Sequence, residues 1–502
     1  MKKINTLLEI LIMCASILSG GCCSTGNSEN TGSLTKLTEM QKFMAEKAVK
    51  LPGDNNPLAI HKFTADPCVL IYEDTVYIYG TNDFQQAEYS KGNEDNAFNK
   101  INTLNVFSSK DLVNWTDCGE IAVAGKQNPK GAAKWATHSW APAICHKKVN
   151  GKEKFFLYFA DNGSGIGVLS ADSPLGPFVD PIGKPLVSRA EPNIGGVHWL
   201  FDPAVIVDDD GKGYLYFGGG VKDDPEHPKS ARCVALSDDM ISIVGIPAEI
   251  DAPWLFEDSG INKFGDTFYY SYCSNWDDRT GAKGDDVLPI AVIAYMTSKN
   301  PLGPFTFKGY TLENPGKYFG PWGNNHHWIF DFNGKHYIAY HTQTTEKQIG
   351  FTKVGYRSIF INDFIVNDDG SLPIQKASKE GVAQVKPFDV YREVPAATFQ
   401  TSHNLAVTSV QTLIPVAASG WLCVKGCDLA EGNATVIIKA KEGSKGTVKF
   451  LTDNWSNGTE LASVEISSAV TEKNITVTDG GNKDIYIVIS GDVELISWEI
   501  KK

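Results

Sequence analysis

The feature that most constrains this chain is a phrase repeated five times: a short triplet followed, ten to twenty positions later, by a hairpin strand spelling Tyr-x-Tyr or a near equivalent. Ala65-Asp66-Pro67 leads to Val76-Tyr77-Ile78-Tyr79, and Trp140-Ala141-Pro142 leads to Phe156-Leu157-Tyr158-Phe159. Phe201-Asp202-Pro203 leads to Tyr214-Leu215-Tyr216-Phe217, and Phe256-Glu257-Asp258 to Phe268-Tyr269-Tyr270-Ser271-Tyr272. Asn325-His326-His327 leads to His336-Tyr337-Ile338-Ala339-Tyr340. One such unit cannot bury its own apolar face, so copies stack around an axis. The repeat predicts an all-β chain containing a five-bladed β-propeller. Equivalent points of each blade then face one axis, where Asp66, Asp202 and Glu257 converge although more than a hundred residues separate the first two.

A second phrase keeps the same period. Asp172-Ser173-Pro174-Leu175-Gly176-Pro177-Phe178 is nearly repeated as Ser298-Lys299-Asn300-Pro301-Leu302-Gly303-Pro304-Phe305, and Ser109-Lys110-Asp111-Leu112-Val113-Asn114-Trp115 fills the equivalent place in the first copy. Turn signals such as Asn150-Gly151, Asp209-Asp210-Gly211 and Asn333-Gly334 separate the paired strands. The propeller is expected over residues 59–388, and a length of 502 residues leaves room for one more folded unit. After Phe388 the pattern stops, and Val394-Pro395-Ala396-Ala397 reads as a linker. Over residues 398–502, short alternating runs such as Thr435-Val436-Ile437-Ile438-Lys439 predict a small β-sandwich with its own core. Ahead of the repeats, residues 23–58 comprise a Ser, Thr, Gly and Asn rich tether and one short helix between Thr38 and Lys50. Pro52-Gly53 stops that helix.

Residues 1–22 read as an export signal: Lys2 and Lys3, a mainly apolar stretch from Ile4 to Leu18, then Ser19-Gly20-Gly21 before Cys22. Leu18-Ser19-Gly20-Gly21-Cys22 resembles a bacterial lipoprotein cleavage box, which implies a lipid anchor at the cell envelope; plain secretion is the alternative. The stretch is shorter than the roughly 20 apolar residues of a membrane span. A formal net charge of -13 argues against a nucleic-acid partner, because phosphate binding needs clustered Lys and Arg. The seven cysteines beyond Cys23 are scattered singly and have no CxxC spacing, which reads as buried thiols.

Hydrolysis of an acetal between sugars needs one carboxylic acid to protonate the leaving oxygen and one carboxylate on the anomeric side. A third carboxylate nearby raises the pKa of the acid that must keep its proton. Asp66, Asp202 and Glu257 fit this scheme, each flanked by apolar or aromatic residues. A single Asp before Pro more often just caps a turn; recurrence at equivalent places is what favours the functional reading. Asp208-Asp209-Asp210, Asp223-Asp224, Asp277-Asp278 and Asp285-Asp286 lie in turn-like stretches and read as solvated loop charges.

Ala65-Asp66-Pro67, Trp140-Ala141-Pro142, Phe201-Asp202-Pro203, Phe256-Glu257 and Gly323-Asn324-Asn325-His326-His327 with Tyr340-His341, taken in that order, resemble glycoside hydrolase family 43 over roughly residues 60 to 385. The resemblance implies a five-bladed propeller and single-displacement hydrolysis with inversion. It makes Asp66 the general base, Glu257 the general acid, and Asp202 the residue that tunes and orients that acid. It also implies a calcium ion on the propeller axis, held largely through water and contacted by His326, with His327 as the competing choice; a purely structural histidine is the alternative. No organic cofactor is expected. Arg357, in Gly355-Tyr356-Arg357-Ser358, matches a position that reaches the sugar, or else forms a salt bridge. Trp140 and Phe201 are the aromatic candidates for the pocket wall, with packing between blades the other reading for Trp140. Ala143 stands where relatives carry an acid.

Gly420-Trp421-Leu422, Gly426-Cys427-Asp428-Leu429, Gly446-Thr447-Val448 and the closing Ser490-Gly491-Asp492-Val493-Glu494-Leu495 are similar to carbohydrate-binding module family 6. That resemblance makes Trp421 and Trp455 the candidate sugar-clamping rings. The expected protein is an exported, inverting glycosidase of plant cell-wall polysaccharide. The wording of the repeats is closest to relatives that remove α-L-arabinofuranose from arabinoxylan. β-Xylosidase and arabinanase share the same acids, and an exported glycan-binding protein without catalysis is the alternative of another class. The expected partner is an oligo- or polysaccharide.

Overall fold

Among residues 33–502, the part of the chain that the computed structural model describes, strands dominate and the four helices are short. The export signal and cleavage box lie outside the described residues; no described helix is long and apolar enough to cross a membrane. Helix α1 (Glu39–Lys47) starts where the sequence places it, with Thr38 and Gln41 forming a reciprocal capping box.

Seven sheets follow. The first contains β1 (Ala65–Tyr72), β2 (Thr75–Thr81), β3 (Thr103–Ser109) and β4 (Trp115–Ala122), with helix α2 (Asp83–Ser90) between β2 and β3. The second is β5 (Trp140–Val149), β6 (Lys152–Ala160) and β7 (Ile166–Ala171). The third is β8 (Ala204–Val207), β9 (Gly213–Phe217), β10 (Ala231–Leu236) and β11 (Ile243–Ile250). The fourth is β12 (Leu255–Phe264), β13 (Thr267–Ser274), β14 (Ile293–Ser298) and β15 (Thr306–Leu312). Helix α3 (Gly316–Phe319) leads to the fifth, β16 (His327–Phe332), β17 (Lys335–Thr342) and β18 (Ser358–Asp363), with α4 (Thr344–Gln348) between its last two strands.

The leading strands of these five sheets touch in a closed circuit, β1 to β5, β5 to β8, β8 to β12, β12 to β16, and β16 back to β1. The repeated Tyr of the hairpin and the repeated Pro-Leu-Gly-Pro phrase meet across neighbouring sheets. The Tyr79 hydroxyl donates to the Pro174 carbonyl, and the Tyr216 hydroxyl donates to that of Pro301. A buried phenol needs a partner, and the phrase supplies it twice.

Three of the leading strands, β1, β5 and β12, are kinked at the repeated triplet, and in the third sheet the triplet stands just ahead of β8. Asp66, Ala141, Asp202 and Asp258 all adopt left-handed backbone, with φ of 47°, 40°, 47° and 68°. A non-glycine residue there costs roughly 1–2 kcal/mol, so surrounding contacts must hold it. Pairing steps across the kink as a bulge does: Ala65 faces Thr81 and Cys68 faces Tyr79; Trp140 faces Ala160 and Ala143 faces Tyr158; Glu257 faces Cys273 and Gly260 faces Ser271. By this register Asp258 is the counterpart of Asp66 and Asp202, and Glu257 is the residue before the kink. The triplets look alike in the sequence, but Glu257, the acid named in the fourth, is one position out of phase with Asp66 and Asp202.

The remaining strands are β19 (Val394–Pro395), β20 (Thr398–Phe399), β21 (Thr401–His403), β22 (Leu405–Val407), β23 (Leu413–Pro415), β24 (Ser419–Leu429), β25 (Gly432–Ala440), β26 (Lys445–Thr452), β27 (Thr459–Ile466), β28 (Val470–Val477), β29 (Gly481–Asp492) and β30 (Leu495–Lys501). Two sheets, β22-β23-β30-β25-β28 and β21-β24-β29-β26-β27, enclose one apolar core with Phe450 and Trp498 inside. The stretch read as a linker is packed structure instead, the two-residue strand β19 and a turn at Ala396–Ala397 leading into β20. Val394 and Pro395 pair with Trp498 and Ser497, and Val394, Ala396 and Ala397 are fully buried. Small side chains there let the backbone lie close to β30 and to the first sheet. Strand β20 adds to β4, Asp117 N–H donates to Ala397 O at 2.9 Å, and the Asn114 amide exchanges two hydrogen bonds with the Lys425 backbone. The C-terminal sheets are therefore sewn to the first sheet through backbone pairing.

Candidate active site

Asp66, Asp202 and Glu257 all lie inside the circuit of leading strands, with relative exposures of only 5%, 5% and 7%. The left-handed turn at Asp66 aims its amide at His341, whose Nδ1 accepts that N–H at 3.0 Å while its Nε2–H donates to Asn324 O at 2.9 Å. Arg357 Nη1 donates to Asp66 Oδ1 at 2.8 Å. Burial opposes the charge of Asp66, but the Arg357 guanidinium outweighs it and holds the carboxyl well below the usual range. Asp66 is thus an ionised carboxylate in a buried pocket.

The other two acids are pushed the opposite way. Asp202 is raised well above the usual range by burial and by the Asp66 charge, although the Asp258 amide donates to its Oδ2 at 2.9 Å. Glu257 is raised well above its usual range by burial first, then by Asp202, Asp66 and Asp258. Its Oε1 is buried and has no hydrogen-bond partner. A carboxyl group kept protonated beside an ionised one is the pairing that acid–base catalysis requires.

His326 sits among the carboxylates, Nε2 at 3.1 Å from Asp258 Oδ1 and Nδ1 at 3.5 Å and 3.8 Å from Asp66 Oδ1 and Asp202 Oδ2. His327 spends both ring nitrogens on Asp258 and on Ser271 Oγ, and burial lowers it to about 3, so it is a neutral structural imidazole. Among the described residues no three His, Cys, Asp or Glu side chains form a metal-holding group. The side chains present therefore offer an ion His326 and no multidentate set, which fits only an ion held mainly by water.

Arg357 is buried and held by Asp83, which the sequence reading did not single out. Its guanidinium also lies 4.9 Å from the Phe98 ring centroid. Trp140 is half-buried beside Phe98, with its ring edge-on and its Nε1–H on the Phe98 carbonyl, so it joins the site through that residue. Phe201 is buried behind Trp199, whose ring stands edge-on to both Phe201 and Phe256 at 5.4 Å. The exposed aromatic beside the acids is therefore Trp199, at 39% exposure, rather than Phe201. Ala143 is fully buried opposite Tyr158 in the core between the second and third sheets. Asp258, Asp83 and Trp199 were missed because each gains its role from a partner far away in sequence or from the phase of a bulge.

In the C-terminal sheets Trp421 and Trp455 stack on one another, centroids 5.9 Å apart and planes 7° from parallel. At that spacing nothing fits between them. Cys423 and Cys427 are separate buried thiols.

Comparison with known proteins agrees with this geometry. A curated arabinoxylan arabinofuranohydrolase of Paenibacillus polymyxa is 45% identical over 412 residues, covering 80% of this chain but only 63% of the relative's own length. One from Bacillus subtilis (strain 168) is 43% identical over 458 residues, covering 86% of this chain and 84% of the relative. The crystal structure of a glycoside hydrolase family 43 arabinoxylan arabinofuranohydrolase from Bacillus subtilis, in complex with cellotetraose, superposes with a TM-score of 0.85 at 39% identity, over 91% of this chain and all of that one. The profile of glycosyl hydrolases family 43 matches residues 55–372, a span that takes in every acid of the pocket together with His326, His341 and Arg357. By that match and by those relatives, the chain belongs to glycosyl hydrolases family 43.

Proposed function

We propose that this protein is an inverting α-L-arabinofuranosidase that removes arabinose from arabinoxylan. The observation that carries the reading is the division of labour among buried acids: Asp66 ionised against Arg357, and Glu257 protonated with a free oxygen inside the pocket. Glu257 gives its proton to the leaving glycosidic oxygen as the C–O bond breaks. Asp66 takes a proton from the water that forms the new bond to the anomeric carbon from the opposite face. Asp202 stands close enough to Glu257 that any negative charge on it raises the Glu257 pKa, and in this way it tunes the acid. Arg357 and Trp140 border the sugar, and Phe201 backs the wall that Trp199 presents. The printed functions of the two relatives above support the substrate.

The closed circuit of five leading strands supports reading the sheets as blades of a propeller. The C-terminal sheets are proposed to be a family 6 type carbohydrate-binding module, with sugar on an outer ring face of the Trp421–Trp455 stack. A calcium ion contacting His326 and otherwise held by water belongs to the same proposal, supported by the oxygens around that imidazole; full activity after exhaustive chelation would remove it. Export with a lipid anchor rests on the residues before Cys22.

The test is a hydrolysis screen on arabinoxylan, arabinan and xylo-oligosaccharides with proton NMR of the first anomer released. Arabinose released from arabinoxylan with inverted configuration is the expected result. Xylose release alone would reassign the sugar, retention would overturn the roles of the acids, and glycan binding without hydrolysis would overturn the enzyme.

A further inference from the structure

Arg357 is the cation that keeps Asp66 ionised, and its orientation is set by a residue on another element. Asp83 is fully buried at the first position of helix α2. Its Oδ1 accepts from Arg357 Nη2 at 2.8 Å, and its Oδ2 accepts from Nε at 2.8 Å and from the Arg357 backbone N–H at 3.1 Å. A guanidinium held bidentately along that edge has its direction fixed. The remaining nitrogen, Nη1, then reaches Asp66 Oδ1 at 2.8 Å.

Asp83 is itself held from several sides. Asn82 caps the helix, its Oδ1 accepting from Gln85 N–H and from Asn105 Nδ2 while its own amide donates to Thr103. The next residue, Phe84, donates its backbone N–H to Phe63 O and lies in an apolar cluster with Met40 and Met44 of α1, Phe63 and Tyr356. Thr38, the cap of α1, donates to Glu88 near the end of α2. Helix α1 precedes the residues that the family profile matches. Part of the support beneath this arginine therefore comes from outside the matched region.

We propose that Asp83 is a positioning residue: acting through Arg357, it fixes where the Asp66 carboxylate stands relative to the anomeric carbon. The proposal rests on the reading of Asp66 as the base. Asparagine at position 83 keeps the shape but replaces one acceptor oxygen by an amide donor, so it cannot hold both Nε and Nη2. The guanidinium then turns, and the base moves with it. A displacement of about 1 Å at a reacting group costs on the order of a hundredfold in rate.

The test measures kcat and KM of Asp83→Asn on 4-nitrophenyl α-L-arabinofuranoside, normalised to the folded fraction by near-ultraviolet circular dichroism. The expected result is kcat down about a hundredfold with KM moving far less. Wild-type kcat per folded molecule, with only the melting temperature lowered, would overturn the proposal and leave the pair a scaffold. If Asp83→Asn does not fold, Asn82→Ala keeps the carboxylate and loosens its helix; kcat falling about tenfold at steady KM supports the proposal, and unchanged kcat overturns it. Asp66→Asn runs in parallel. Should it stay active, the base assignment falls and this inference with it; should it be inactive while Asp83→Asn behaves as wild type, this inference alone falls.

Discussion

The amide of Asp258 donates to Oδ2 of Asp202 at 2.9 Å, so the kink in the fourth sheet grips the carboxylate of the third. The Asp258 carboxylate in turn accepts the His327 backbone N–H at 3.1 Å and its ring Nδ1–H. Asp258 occupies the position equivalent to Asp66 and Asp202 yet spends its oxygens on structure. Glu257, one residue earlier, keeps a carboxyl oxygen unpaired. The repeat unit thus delivers a carboxylate to the axis by two routes, one on the kink and one before it.

That contrast separates two variants. Glu257→Gln should lower kcat on arabinoxylan by about 10²–10⁴-fold, the usual worth of a general acid. It should lose far less on an aryl glycoside whose leaving group needs no proton. Asp258→Asn should show no such dependence on the leaving group. Its main effect should be a lower melting temperature, because one of the two buried His327 donors then faces an amide donor instead of an acceptor, at about 1–3 kcal/mol.

Glu257 also carries a signature in stability. Its folded pKa is raised, so folding favours the protonated form: the contribution is fully present below the ordinary glutamate pKa and is lost as pH rises towards the folded value. Glu257→Gln removes that penalty. Its melting temperature should exceed that of the wild type by about 1–3 °C at pH 8, judged from the entropy of unfolding per residue, and the gap should close near pH 4. A scanning calorimetry series across pH reads this directly, and an equal gap at both ends would contradict the buried-acid account.

The rate profile follows from the same opposition. Asp66 is held ionised well below the usual range, so the acid limb of kcat/KM should lie at low pH. Loss of the Glu257 proton sets the alkaline limb, displaced upward from an ordinary glutamate. In Glu257→Gln the residual activity on an activated aryl arabinofuranoside should lack the alkaline limb and keep the acid one.

At the seam between the first sheet and the C-terminal sheets, Asn114 serves as an extra strand residue for Lys425, donating to its carbonyl at 2.9 Å and accepting from its N–H at 2.8 Å. Asn114→Ala leaves both backbone groups without those partners, at a cost of about 1–3 kcal/mol. With β20 shared across the seam, calorimetry should show one transition in the wild type and in this variant, at lower temperature in the latter. Two resolved transitions would mean that the sandwich melts by itself.

Much of this was readable in the sequence, for a physical reason. Strand alternation and turn chemistry are local, so five hairpins and the convergence of Asp66, Asp202 and Glu257 could be inferred from repeated phrases. The phase of Glu257 could not, because a bulge adds one residue and shows itself only in cross-strand pairing. Asp83 carries no local signal of its own, because its partner Arg357 is 274 positions away. Val394-Pro395-Ala396-Ala397 has the composition of a linker, and only the approach of Trp498 and Asp117 shows why small residues are needed there.

The pairing of Asp66 with Arg357 spans 291 positions, and the circuit closes only when β16 meets β1. Until the ribosome has released almost three-quarters of the chain, Asp66 has no cation and the circuit of sheets stays open. A nascent or prematurely ended polypeptide therefore lacks the Asp66–Arg357 pair. Folding has to wait for its most distant contact, which places this enzyme among slow, late-committing folders.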